Sequence, residues 1–305
     1  MNQLRSSVLA LLILFAPTAD AADVTVIYNG SVQAELHDCG CKSLPLGGLA
    51  RRAAMIEQIC GDGRPALLVD AGNLMGDPTQ DTLAQSGFVA AQTAAMGYSA
   101  VGVGPYEIGH GIDAVQQLSL ESGLEFVSAN LKIGDEHPFA PWTVVERGGV
   151  RFGLISVLDP YFDRAPYNEK TTGLRIEDPV AALKRELPML REKADVVVLL
   201  ANMKDSTGTV NILRALEEGP TIELVVEGMV TRQYKNPRQL GQSFVLAANN
   251  RGKYLGQLDL TIDAGRIVDA TGEVHPIGLE LPEKDAVVEA VEDFEAQQEE
   301  LAQGR

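Results

Sequence analysis

The sequence predicts a layered α/β domain, on two observations. Short runs rich in β-branched residues alternate with stretches of helical periodicity over roughly the first two-thirds of the chain, the pattern of strands covered by helices. The last third changes character and reads as consecutive antiparallel strands closed by an acidic helix. No internal repeat, low-complexity tract or linker interrupts the pattern, so a single domain over residues 22–305 is expected.

The elements follow in order. "VTVIYN" (24–29) reads as a strand and residues 48–60 as a helix, because Leu49, Ala53, Ile56 and Cys60 line one face. "ALLVDAG" (66–72), a helix near 81–96, "SAVGVG" (99–104) and a helix near 111–122 continue the alternation. After "FVSANL" (126–131), "WTVVER" and "VRFGLISVL" flank Gly148-Gly149 as a hairpin. Asp178-Pro179 opens a helix at its N-cap and first position and leads into "DVVVLLAN" (195–202). A helix near 206–217 and "IELVVEG" (222–228) come next. "SFVLAAN" (243–249), "KYLGQLDLTID" (253–263) and "RIVDATGEVHPI" (266–277) are the three antiparallel strands expected before a helix near 283–302.

The N-terminus "MNQLRSSVLALLILFAPTADA" reads as a cleavable secretory signal. It has one basic residue, Arg5, an apolar run from Val8 to Phe15, helix-breaking Pro17, and a small-x-small end at Ala19-Asp20-Ala21. The apolar run is too short to span a bilayer, and no later window approaches the ~20 apolar residues required. A periplasmic or secreted protein, cleaved after about Ala21, is expected. No cysteine stands at the cleavage point to mark a lipoprotein.

The formal net charge is −17, and residues 1–21 contain one arginine and one aspartate, so their removal leaves it unchanged. Such acidity argues against nucleic acid and anionic membrane as partners. It suits solubility, or docking on a basic protein.

Three cysteines in an exported chain allow at most one internal disulfide. Cys60 falls on the apolar face of its helix and is expected to be a core thiol. Cys39 and Cys41, in "ELHDCGCKSLPLGGLARRAA" (35–54), are then the pair of interest.

The order of motifs resembles the calcineurin-like metallophosphatases, in particular the catalytic domain of the periplasmic 5′-nucleotidase and UDP-sugar hydrolase family. "VTVIYNG" resembles the first strand, "GGLARRAAMI" the following helix start, "LLVDAGN" the second motif and "MGYSAVGVGPYEIGHG" the third. "VVVLLANMK", "IELVVEGMVT" and "VLAANNRGKYLGQLDL" follow in the family's order. The resemblance implies a four-layer αββα sandwich and hydrolysis by two divalent metals held by Asp, His and Asn.

The ligand positions depart from that pattern together. The Asp-x-His after the first strand is Gly30-Ser31-Val32, and the bridging aspartate is Asn73. The Gly-Asn-His-Glu loop reads Gly104-Pro105-Tyr106-Glu107, the fourth motif's histidine aligns with Asn202, and Gly-His-x-His reads Gly228-Met229-Val230-Thr231. Gly, Val, Pro and Thr cannot replace a carboxylate or imidazole as ligands of a hard cation, and Asn73 is at best a weak neutral one. A degenerate metal site is expected, with Asn73, Tyr106, Glu107 and Asn202 bordering a vestigial pocket. "HDCGCKSLPLGGLARR" further resembles a divergent branch of exported UDP-sugar-hydrolase-like proteins, some with selenocysteine in the Cys-x-Cys region, which implies redox chemistry.

A disulfide between positions i and i+2 closes a small, easily reduced ring, for which Gly40 supplies backbone freedom. Lys42, Arg51, Arg52 and the start of the next helix are expected to stabilise a thiolate, and His37 to accept a proton. The expectation is thus a thiol oxidoreductase acting through Cys39, Cys41 and His37, without its own cofactor, on a redox protein or a small oxidant or reductant. The alternatives are copper or zinc at His37, Cys39 and Cys41, with Cys60 as a further ligand; a residual 5′-nucleotidase-like hydrolase; or a non-catalytic scaffold that binds a partner. His110 is a candidate for lining the old cleft; His137 and His275 precede prolines in expected loops.

Overall fold

The computed structural model describes residues 21–164, 167, 169–219 and 221–304; the expected signal segment, apart from Ala21, lies outside them. The chain runs through β1 (Ala22–Asn29), α1 (Leu49–Cys60), β2 (Ala66–Asp70), α2 (Leu83–Ala95), β3 (Tyr98–Gly102), α3 (Pro105–His110), α4 (Ile112–Ser122) and β4 (Phe126–Val127). It continues through β5 (Leu131–Ile133), β6 (Trp142–Arg147), β7 (Val150–Leu158), β8 (Leu174–Ile176), α5 (Pro179–Arg191), β9 (Val196–Asn202) and α6 (Ser206–Ala215). The last elements are β10 (Leu224–Glu227), β11 (Arg238–Leu240), β12 (Ser243–Leu246), β13 (Tyr254–Asp263), β14 (Arg266–Pro276) and α7 (Asp285–Gln303).

Two six-stranded sheets carry the fold. One has the order β14-β13-β1-β2-β3-β4, the other β11-β12-β10-β9-β7-β6. The period-two alternation of strand side chains explains why they stack. In β9, Val196, Val198 and Leu200 enter the core between the sheets, together with Val24, Val26 and Tyr28 of β1. Val197, Leu199 and Ala201 point the other way, onto Leu183, Leu187 and Leu190 of α5 and Ile212 of α6. Ile27 and Leu68 leave the opposite sheet on its outer side, against Leu49, Ala53 and Ile56 of α1 and Val287 and Val291 of α7. Three apolar layers between helix, sheet, sheet and helix make the expected αββα sandwich.

Local signals set the element ends. Asp178 caps α5 by accepting from the Ala181 N–H at 2.8 Å, with Pro179 first in the helix, and Asp205 does the same for α6 through the Thr207 N–H at 2.8 Å. The Gly148-Gly149 hairpin joins β6 and β7 as expected.

The last third departs from expectation in one respect. β12 does not pair with β13; it lies parallel to β10 in the other sheet and antiparallel to β11. Only β13 and β14 form the antiparallel pair, with β13 also antiparallel to β1. The loop of Asn249 to Lys253 crosses between sheets, a change that strand propensity does not encode. His275 lies within β14, paired with Leu255, rather than in a loop. None of the described helices is long and apolar enough to cross a membrane.

Gly256 of β13 lies opposite Tyr28 of β1, whose ring occupies the space that a Cβ at position 256 would take. Tyr28 is fully buried between the sheets, so the ring has nowhere to move. The substitution Gly256→Ala is expected to cost about 1–3 kcal/mol by overpacking, read as a lower denaturant midpoint at unchanged slope.

Candidate functional site

The loops at the carboxyl ends of the strands converge, because β1, β2 and β3 run parallel, as do β7, β9 and β10. Open α/β sheets present ligand sites at such ends. A buried carboxylate organises them. Glu107 of α3 accepts the N–H groups of Asn73 at 2.9 Å, Met75 at 3.0 Å and Gly104 at 2.8 Å. Burial pushes its acidity down towards the neutral form, and these amides oppose that. Asn73 accepts from the Tyr106 N–H at 2.9 Å through its side-chain oxygen and donates to the Met229 sulfur.

The floor beneath is closely packed. Asn202 donates its amide to the carbonyl of Ala71, and Gly72 and Gly228 lie so close to it that neither position has room for a Cβ. Gly30 packs where a Cβ would meet the Gly228 Cα at 3.1 Å and the Ala71 Cβ at 3.3 Å. Ser31 donates its N–H to the Gly72 carbonyl at 2.7 Å and accepts the Met229 N–H on its hydroxyl at 3.1 Å. Asn73, Glu107 and Asn202 are therefore buried supports, not pocket walls. Tyr106 alone of the four expected pocket residues lines an open cavity.

That cavity has a volume of about 460 Å³ and is walled by Gln33, Asp77, Gln80, Gln85, Tyr106 and Arg251, among others. His110 stands behind it, buried, with Nε2 3.0 Å from the Gly76 carbonyl; burial lowers its basicity. His137 lies away from the site near Glu186, at 3.9 Å, and His275 near Gln257, at 2.8 Å.

The cysteines sit on a pinned loop beside the cavity. A bridge between Asp38 and Gly47 closes its base, the Cys39 N–H donates to the Leu46 carbonyl at 2.9 Å, and Gly40 turns at φ 65°. Leu46 bridges to Gly278, and the Gly47 N–H donates to the Ile277 carbonyl at 2.7 Å, which ties the loop to the end of β14. A Cβ at Gly47 would come within 3.3 Å of the Arg251 carbonyl oxygen, so loop and cavity meet at Arg251.

All three cysteines carry free thiols. Burial is the largest influence on Cys39 and opposes its ionisation, but a hydrogen bond from the Cys41 thiol, backbone hydrogen bonds at Leu46 and Cys41, and Lys253 together hold it below the ordinary thiol value. Cys41 is raised: its hydrogen bond to Cys39 contributes most, followed by desolvation and the Cys39 charge, against Lys253 and Arg251. Cys60 is half-buried against the outer core and raised, by burial first and Asp62 second.

The groups expected to serve the thiols are largely engaged elsewhere. His37 pairs with Glu295 of α7 at 2.7 Å, Arg51 with Glu283 at 2.8 Å, and Arg52 is buried near Thr93 and Asp70. Lys42 is exposed on the loop. The cations that act on the thiols are Lys253 and Arg251, about 210 residues downstream in the crossing loop. The one sequence signal for them was the resemblance of "VLAANNRGKYLGQLDL" to the family's closing strand pair.

No family model matches the chain. The 5′-nucleotidase of Diplobatis ommata is 23% identical over 308 residues, covering 88% of this chain and 51% of that protein. The structure of a 5′-nucleotidase precursor from Thermus thermophilus superposes with a TM-score of 0.77 at 20% identity, covering 92% of this chain and 60% of that one. This chain has the calcineurin-like metallophosphatase fold of the 5′-nucleotidases. Thermus thermophilus sulfate thiohydrolase SoxB shares it at a TM-score of 0.79 and 19% identity, over 92% of this chain and 61% of that chain. The chain spans about half the length of the curated 5′-nucleotidases from Diplobatis and Vibrio vulnificus that it matches.

The residues at the metal positions do not fit a pair of hard cations. Asn73 spends both ends of its amide on protein partners, Asn202 donates its amide nitrogen and keeps a buried, unpaired Oδ1 as a single neutral oxygen, and Ser31, Tyr106, Met229 and Thr231 supply no carboxylate or imidazole. Among the described residues no group of three or more His, Cys, Asp or Glu is placed to hold a metal ion, and His37 is engaged with Glu295.

One buried group makes stability depend on pH. Asp70, fully buried at the end of β2, is pushed up to about 7, by burial first; the Gly72 N–H and Arg52 pull it down, and Glu107 adds to the rise. Its unfolded value is about 3.9. The folded state therefore binds more protons between about pH 4 and 7, and stability falls as pH rises through that window. Asp70→Asn keeps an acceptor for the Gly72 N–H. The variant is expected to match the parent near pH 4 and exceed it at pH 8 by on the order of 1–3 kcal/mol, measured by urea unfolding at both values.

Proposed function

We propose that this protein is an exported thiol–disulfide oxidoreductase built on the metallophosphatase fold, with Cys39 as attacking thiolate and Cys41 as resolving thiol. The observation that carries the reading is the pair of free thiols two residues apart on one pinned loop, within reach of Lys253 and Arg251. As a structural staple the pair would do little, since a two-residue spacing removes little chain entropy.

The chemistry balances within the pair and one external disulfide. The Cys39 thiolate attacks one sulfur of the substrate, forming a mixed disulfide and breaking the substrate S–S bond. The departing thiolate takes up a proton. Cys41 then loses its proton and attacks Cys39, closing the Cys39–Cys41 disulfide and releasing the second substrate thiol. Two electrons pass to the substrate, and both product thiols leave protonated. The reverse sequence regenerates the dithiol from a reducing partner. His37, held by Glu295, has no assigned step.

The test is alkylation mass spectrometry across a potential series, with metal analysis of the same sample. Cys39 and Cys41 are expected to interconvert together while Cys60 stays reduced. Cys41→Ser is expected to trap the mixed disulfide, and Cys39→Ser to abolish exchange. The exchange rate should rise with pH and reach half its maximum below the ordinary thiol value of about 8.5, with Lys253→Ala moving that midpoint upward. A pair that fails to interconvert overturns the reading. Two tightly bound divalent ions with turnover of a nucleoside monophosphate would establish the 5′-nucleotidase-like hydrolase in its place.

A further inference from the structure

The cavity next to the thiol loop is the least explained feature of the molecule. Its wall is assembled from four separate segments: Gln33 and Glu35 after β1, Asp77 to Gln85 after β2, Tyr106 on α3, and Arg251 before β13. Two of these residues hold left-handed backbone that a non-glycine side chain rarely adopts, Gln33 at φ 61° and Arg251 at φ 56°. The surrounding hydrogen bonds enforce both: Gln33 donates its N–H to the Asn73 carbonyl at 2.8 Å, and Arg251 its N–H to the Ser31 carbonyl at 2.6 Å. Backbone strain of this kind concentrates where side-chain direction matters.

We infer that this cavity binds the substrate of the neighbouring thiol pair, and that the substrate is a small zwitterionic disulfide of peptide type. The inference rests on the thiol–disulfide reading above. Its basis is the chemistry of the wall. Asp77 accepts the N–H and hydroxyl of Thr79 at 2.9 and 2.7 Å, and these bonds hold its carboxyl below the usual range, so it presents a fixed negative charge. Arg251 presents a fixed positive charge, shared with Glu35 and within electrostatic reach of both thiols. A ligand carrying an ammonium and a carboxylate satisfies both charges. Between them, the amides of Gln33, Gln80 and Gln85 and the hydroxyl of Tyr106 match peptide N–H and C=O groups.

Other ligand classes fit less well. An apolar molecule would strand this polar wall without partners. A nucleoside monophosphate would bring a doubly charged phosphate towards Glu35 and Asp77, with Arg251 the one guanidinium among the lining side chains. A volume of about 460 Å³ lies within the range of small-molecule sites. Arg251 joins the two halves of the site: its carbonyl lies against the thiol loop at Gly47, and its side chain lines the cavity and is within electrostatic reach of Cys39 and Cys41.

The experiment is calorimetric titration of the full chain with S-methylglutathione, a thioether that cannot exchange with thiols, alongside its N-acetylated form and adenosine monophosphate. One-to-one binding of S-methylglutathione is expected, with the N-acetylated form at least tenfold weaker. Asp77→Asn should abolish that tenfold preference, and Tyr106→Ala should weaken both forms severalfold while the thermal midpoint stays within a few degrees. Absence of saturable binding, a preference that survives Asp77→Asn, or tighter binding of adenosine monophosphate overturns the inference. Since S-methylglutathione has no disulfide, this titration fails on the cavity alone, and the alkylation series fails on the thiols alone.

Discussion

The buried carboxylate of Glu107 holds the upper face of the molecule together. Burying a charge costs several kcal/mol, and three charge-assisted bonds from backbone amides offset it here. Those amides belong to the loop after β2 and the turn into α3, so one side chain sets the spacing of both. The next layer hangs on the first. Ser31, Gln33 and Ala34 donate their N–H groups to the carbonyls of Gly72, Asn73 and Leu74, at 2.7, 2.8 and 2.7 Å. The segment thus placed leads through Glu35 to the cysteines, and its Ser31 carbonyl in turn receives Arg251. Cavity wall and thiol loop share one support.

Strain on that support is unevenly distributed. Of the eight described non-glycine residues with left-handed backbone, Ser31, Gln33, Ala34, Asn73, Met229, Asn249 and Arg251 all lie on loops at this end; Ala264 is the exception, in the β13–β14 turn. Each such residue costs on the order of 1 kcal/mol or more, which a surface without a task would have little reason to retain. The donors expected of a two-metal hydrolase differ at these loops, yet the loop geometry remains demanding.

Much of this was legible in the sequence. The alternating strands and helices, the hairpin at Gly148-Gly149 and the Asp178-Pro179 helix start are local signals, and the structure bears them out. The departures are non-local. Strand propensity in "SFVLAAN" is the same whether the strand continues a meander or crosses to the other sheet, and it crosses. Proximity in sequence suggested Lys42, Arg51 and Arg52 as partners for the thiols, whereas helix geometry turns Arg52 into the core and Arg51 towards α7. The cations that matter, Arg251 and Lys253, arrive through the crossing loop. Asn73, Glu107 and Asn202 were placed at the correct end of the sheets but one layer too high, because residue type alone does not separate a pocket wall from the amide and carboxylate network beneath it.

The thiol pair has a property that neither cysteine has alone. The Cys41 thiol donates to the Cys39 carbonyl at 3.8 Å and the Cys39 thiol to the Leu44 carbonyl at 3.8 Å, while a charge on the Cys39 side chain discourages ionisation of Cys41. In the thiol reading, formation of the mixed disulfide removes that charge and most of the acceptor strength at Cys39. The two influences that raised Cys41 then weaken together, while Lys253 and Arg251, which lower it, remain. The overall charge of −17 would work against any thiolate on this surface. At distances short of the Debye length, two nearby cations oppose a diffuse negative background that salt largely screens, and the crossing loop that carries them favours ionisation of both sulfurs.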